Sequence, residues 1–146
     1  MAEHLFRRKL GDVFDVRCSS AGLAACEGAS ASPSAVAVMR ELGCDLSGHR
    51  SRSLTLEKID EADLIVVMTS AHRDTVCSLF PQARDRVRLA HTFGVTDTAN
   101  DVTDPFGQSE SRYRQTRDEL DTAITDMAIY LNNQGAPLLK KTRERG

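Results

Sequence analysis

The sequence predicts an α/β fold of three layers, with helices on both faces of a parallel sheet. Three observations predict it. DLIVVM (63–68) is an uninterrupted apolar run rich in β-branched residues, the pattern of a strand buried on both faces. Segments with helical apolar spacing lie on both sides of it in the chain. The order read along the sequence is helix, strand, helix, helix, strand, helix, strand, helix, which is an α/β layout. At 146 residues the chain is long enough for one core and too short for two.

Each element has a local reason. MAEHLFRRKLG opens as a helix, with Met1, Leu5, Phe6 and Leu10 near one face and Gly11 as its stop. FDVRCSS (14–20) alternates as a strand does. SAG (20–22) and the small-residue stretch EGASAS (27–32) are loops. Ser32 caps a helix with Pro33 at its first position, AVAVMREL follows, and Gly43 ends it. Thr55 caps the short helix LEKIDEAD. Ser70 caps the helix after DLIVVM, which closes at Phe80-Pro81. VRL (87–89) is a short strand. The polar stretch HTFGVTDTANDVTDPFGQ is a loop. The last helix runs from about Ser109 to Asn132, where Tyr113, Leu120, Ala123, Ile124, Met127 and Leu131 make an apolar stripe. Residues 134–146 read as a flexible polar and basic tail on a domain spanning 1–133.

The totals narrow the function classes. Nineteen basic against 21 acidic residues give a net charge of −2, so charge makes no argument for a nucleic-acid or membrane partner. No apolar run reaches transmembrane length, and no apolar core follows the N-terminal charges as in a secretory signal. Cys18, Cys26, Cys44 and Cys77 show no paired spacing, which predicts reduced thiols of a cytoplasmic protein. His4, His49, His72 and His91 form no ligand pattern with each other or with the cysteines, so no metal and no cofactor is expected.

One motif carries chemistry on its face. In GCDLSGHRS (43–51), Cys44 and Arg50 have the Cys-X5-Arg spacing of phosphatases in which a thiolate attacks phosphorus and an arginine clamps the phosphoryl oxygens. Such a loop needs backbone N–H groups converging on the anion, usually at a helix N-terminus, and these groups also lower the cysteine pKa. Cys44 instead follows a helix that ends at Gly43, at the negative pole of the helix dipole. Asp45 stands inside the loop, where it would repel a phosphate. The spacing reads as chance, and Cys44 as a small buried residue after a helix C-cap.

The remaining motifs resemble the low-molecular-weight protein tyrosine phosphatase family over residues 1 to about 133. MAEHLFRRKL is similar to the helix that follows that family's catalytic loop, whose end reads Cys-Arg-Ser-Pro-Met-Ala-Glu. SSAG, SPSAVAVMRELGCDLSGHRSR, DLIVVM, DPFG and the closing helix stand in the family's order. The resemblance implies that the catalytic Cys-X5-Arg loop and the first, central strand are not among these residues. It also implies that Asp104 is the general acid, in an Asp-Pro loop. Ser20 and His49 would support the catalytic loop, and Phe106 would line one wall of the substrate cleft.

Asp-Pro is also a common turn, and the other three residues have ordinary structural readings: a strand-end turn, a surface loop histidine and a core anchor. The single aromatic in DPFG, YRQTRDEL (113–120) and Thr69 after the strand look more like the protein arginine phosphatase branch. The implied substrate is a phosphoarginine or phosphotyrosine protein, cleaved through a phosphocysteine, with the chain as written expected to be inactive. The alternatives are a non-catalytic relative that keeps a phosphate site and, further off, an arsenate reductase. Loss of a central strand is also expected to weaken the fold.

Overall fold

A computed structural model describes residues 1–10, 16–94 and 101–140, with side chains described through residue 133. The elements run α1 (Ala2–Leu10), α2 (Pro33–Arg40), α3 (Leu56–Glu61), β1 (Ile65–Val67), α4 (Ser70–Leu79), β2 (Val87–Leu89) and α5 (Glu110–Lys140), with 3₁₀ turns at Pro81–Arg86 and Ala90–Phe93.

β1 and β2 form a two-stranded parallel sheet with Ile65 opposite Val87 and Val67 opposite Leu89. A parallel pair needs a crossover, and α4 supplies it. Alternation along the first strand divides the core. Leu64, Val66 and Met68 pack against one cluster, built from Leu5, Val38, Met39, Leu46, Leu120, Ile124 and Met127. Ile65 and Val67 pack into the other, with Ile59, Val76, Ala83, Val87 and Leu89. Helices α1, α2 and α5 therefore cover one face of the sheet and α3 and α4 the other. This is the expected α/β arrangement.

The caps follow the sequence at two helices. Ser32 Oγ accepts from Ala35 N–H at 3.3 Å with Pro33 in the first turn, and Thr55 Oγ1 accepts from Lys58 N–H at 3.4 Å. Ser32 also donates to the Tyr113 hydroxyl at 3.0 Å, which ties the start of α2 to α5.

Three expectations are corrected. Thr69, not Ser70, caps α4: Thr69 Oγ1 accepts from His72 N–H at 3.0 Å, and Ser70 is the first helical residue. Residues 16–20 form no strand, and residues 14–15 of the expected strand lie outside the described residues. Alternation makes a strand only when a ladder partner lies alongside, and here the nearest pairing is the isolated bridge of Gly22 with Ser53. Finally, α5 continues past Asn132 to Lys140. Once a helix is formed, extension costs little nucleation, and Ala136, Leu138, Leu139 and Lys140 are good helix formers, although Gly135 is a poor one and Pro137 has no N–H to donate.

Candidate active site

The end of α2 decides where Cys44 stands. Gly43 adopts φ +73°, a left-handed conformation that suits glycine. Its N–H donates to Arg40 O at 2.9 Å, and Cys44 N–H donates to Met39 O at 3.0 Å. These two bonds are a Schellman motif, which satisfies the last carbonyls of a helix. The amide of Cys44 is thus consumed by the C-terminal end of α2, and its side chain is buried in the larger core cluster. Arg50 does not reach over it. The guanidinium donates to Ser47 O at 3.0 Å and to its neighbour's carbonyl, His49 O, at 2.8 Å. Asp45 accepts from Ser47 N–H at 2.9 Å, and this bond holds its carboxyl below the usual range, so a fixed negative charge sits inside the motif.

The first turn of α1 gathers the more unusual chemistry. Glu3 is a buried carboxylate. Ser20 Oγ donates to Glu3 Oε2, Arg7 Nη2 lies 2.7 Å from Glu3 Oε1, and Arg52 Nη2 lies 3.9 Å from it. Burial pushes the Glu3 carboxyl up, but the Ser20 hydrogen bond and the charges of Arg7, Arg52 and His49 outweigh it, and the net direction is down. His4 and His49 meet edge to face, ring centroids 5.4 Å apart. Burial lowers both imidazole pKa values, with Glu3 opposing. His4 Nδ1 is buried without a hydrogen-bond partner among the described residues.

Glu3, His4 and Arg7 share an open cleft of about 580 Å³ with Gly28, Ser47, His49, Arg50 and Arg52. Ser20 and His49, two of the residues implied by resemblance, therefore converge on one spot, the start of α1, through Glu3. Neighbouring Cys18 has its thiol pushed up to about 11, first by burial and then by Glu3, which leaves it protonated near neutral pH.

The other two implied residues belong to a separate loop. Asp104 Oδ1 accepts from Phe106 N–H at 3.0 Å, a local turn. Pro105 between them is buried while both neighbours are exposed, Phe106 at 78%. The proline thus anchors the loop and holds a carboxylate and an aromatic ring in solvent. Neither Asp104 nor Phe106 lines the cleft around His49.

Sequence reading missed Glu3, His4, Arg7 and Arg52. The one local signal was the Glu3–Arg7 spacing of an i,i+4 ion pair. No group of three or more His, Cys, Asp or Glu is placed to hold a metal among the described residues. No helix among them is long and apolar enough to cross a membrane.

The start of α1 thus holds a buried, hydrogen-bonded carboxylate beside a pair of histidines, apart from the Asp-Pro loop, on an α/β frame. The model of the low molecular weight phosphotyrosine protein phosphatase family matches residues 1–138. The protein-arginine-phosphatase of Geobacillus stearothermophilus is 40% identical over 119 residues, covering 82% of this chain and 79% of that protein. That of Bacillus subtilis is 38% identical over 132 residues, covering 90% and 87%. The Escherichia coli protein-tyrosine-phosphatase Wzb is 30% identical over 118 residues, 81% of this chain and 78% of its own length. The solved YwlE arginine phosphatase from Geobacillus stearothermophilus superposes with a TM-score of 0.84, covering 91% of this chain and 84% of that one at 38% identity. The chain belongs to the low molecular weight phosphotyrosine protein phosphatase family, near its protein arginine phosphatase branch.

Proposed function

We propose that these residues form the acid-loop and loop-support parts of a cytoplasmic protein phosphatase acting on phosphoarginine, and that the nucleophile is not among the 146 residues. The carrying observation is Cys44: the only cysteine followed by an arginine at the sixth position donates its amide to Met39 O at the C-terminal end of α2. An amide turned into a helix end cannot also face an anion, and the dipole there opposes a thiolate.

In the proposed reaction a cysteine thiolate displaces the guanidino nitrogen from phosphorus, forming a phosphocysteine. Asp104 gives its proton to the departing nitrogen. Its carboxylate then takes a proton from water, whose oxygen attacks phosphorus and releases inorganic phosphate and thiolate. Phe106 walls the substrate cleft beside Asp104. Glu3, Ser20 and His49 hold the catalytic loop at the start of α1. Support for phosphoarginine over phosphotyrosine comes from the single aromatic of DPFG and from the names of the two arginine phosphatase relatives.

The test joins the segment that precedes the match to Met1 in the Geobacillus relative to this chain. Gained hydrolysis of a phosphoarginine peptide, faster than of a phosphotyrosine peptide and lost by at least about 100-fold in Asp104→Asn, supports the reading. A joined chain that folds yet cleaves neither peptide supports the second reading, a non-catalytic relative, for which the exposed and locally bonded Asp104 is the favouring observation.

A further inference from the structure

We propose that Asp101 is a positioning residue: docked on the first turn of α4, its carboxylate sets where the Asp104 loop stands. The inference rests on the reading of Asp104 as the acid.

Asp101 Oδ1 accepts from Ser70 N–H at 2.7 Å and from Ser70 Oγ at 3.0 Å, across 31 positions of sequence. The helix does not need this bond for its cap, because Thr69 already supplies one to His72 N–H. The carboxylate gains from the positive end of α4, and what it fixes is its own segment.

The next residues are fastened in turn. Val102 is buried and donates its N–H to Met68 O at 2.9 Å, just past β1. Thr103 O accepts from Thr116 Oγ1 of α5 at 3.2 Å. Pro105 is buried. Three successive residues before Asp104 thus attach to three different elements: α4, the end of β1 and α5. Of the three, Asp101 alone bonds through its own side chain, so substituting it leaves the backbone groups of Val102 and Thr103 with their partners. A general acid works only within hydrogen-bond reach of the leaving atom, and a displacement of about 1 Å can cost on the order of 100-fold. The acid's place is therefore set by a residue that never meets substrate.

Three variants separate this from a general packing role. Asp101→Ala deletes the acceptor. Asp101→Asn keeps a side-chain oxygen for Ser70 N–H. Ser70→Pro deletes the donor at a helix position where proline is well tolerated, after a Thr69 whose backbone is already extended (φ −134°, ψ 157°).

The first measurement is amide hydrogen exchange on the 146-residue chain. Asp101→Ala and Ser70→Pro are expected to speed exchange at Val102 and Phe106 about tenfold, with α5 amides unchanged and Asp101→Asn protected as in the parent. Unchanged exchange at Val102 and Phe106 in both disrupting variants overturns the proposal, as does loss of protection across α5.

The second uses the joined chain and two esters. Phenyl phosphate needs its leaving oxygen protonated; p-nitrophenyl phosphate does not. Both disrupting variants are expected to lower kcat about tenfold for phenyl phosphate and less than about twofold for p-nitrophenyl phosphate, with KM unchanged and Asp101→Asn restoring both. An equal loss on the two esters overturns the positioning role. A joined chain with no turnover at all sinks the reading of Asp104 instead, and the exchange measurement then decides the docking by itself.

Discussion

The Ser20 hydroxyl donates to the carboxylate of Glu3, whose side chain is 2% exposed and lies 2.7 Å from Arg7. A buried charge is tolerated only when its oxygens are paired and hydrogen-bonded. Ser20→Ala removes one of these donors from a carboxylate that keeps almost no surface of its own. Stability should fall by about 1–3 kcal/mol, read as a lower urea midpoint at unchanged slope. A loss under about 0.5 kcal/mol would mean the carboxylate finds water instead.

The same carboxylate predicts acid sensitivity. Its pKa is lower folded than the ordinary 4.5, so its contribution is present above that value and is lost as pH falls through the folded one. His4 and His49 act earlier. Both are lowered from 6.5 by burial, so the unfolded chain takes up protons first as pH drops below about 6.5. Thermal midpoints should therefore decline from about pH 6.5 downward, and His49→Gln should make the decline shallower between pH 6.5 and 5. A midpoint that stays level over that window would contradict the burial of the histidine pair.

Arg117 joins α5 to the end of α2. Its guanidinium donates to Val38 O at 2.8 Å and meets Glu41 at 2.6 Å with a side chain 7% exposed. Glu41, which also binds Arg114, has its carboxyl held down at about 2 by those two arginines. Arg117→Ala strands a buried carbonyl and should cost about 1–3 kcal/mol. Arg114→Ala breaks only a solvent-screened pair and should cost clearly less than Arg117→Ala. Chemical denaturation of the two variants distinguishes them, and equal losses would assign the energy to charge alone.

Much of the fold is legible because its causes are local. The β-branched run of DLIVVM, the strand VRL and the caps Ser32 and Thr55 depend on neighbours within a few residues. The cap of α4 was ambiguous because Thr69 and Ser70 are adjacent and chemically alike; only the bond to His72 N–H separates them. FDVRCSS shows the limit of alternation, since a strand is a relation between two segments. At the candidate site, Cys44 was readable from Gly43, which ends a helix wherever it needs a positive φ. Glu3 was not. An acid in a first helical turn ordinarily faces solvent, and its burial here comes from Ser20, 17 positions away, and from Arg52. Asp101 was hidden for the same reason, its partner lying 31 positions upstream.

The most direct measurement is hydrolysis of p-nitrophenyl phosphate by the 146-residue chain beside its Cys44→Ser variant. With the Cys44 amide bound into the end of α2, both should release p-nitrophenol at the rate of the enzyme-free blank. Turnover by the parent chain that disappears in Cys44→Ser would place the nucleophile at residue 44 and contradict the account.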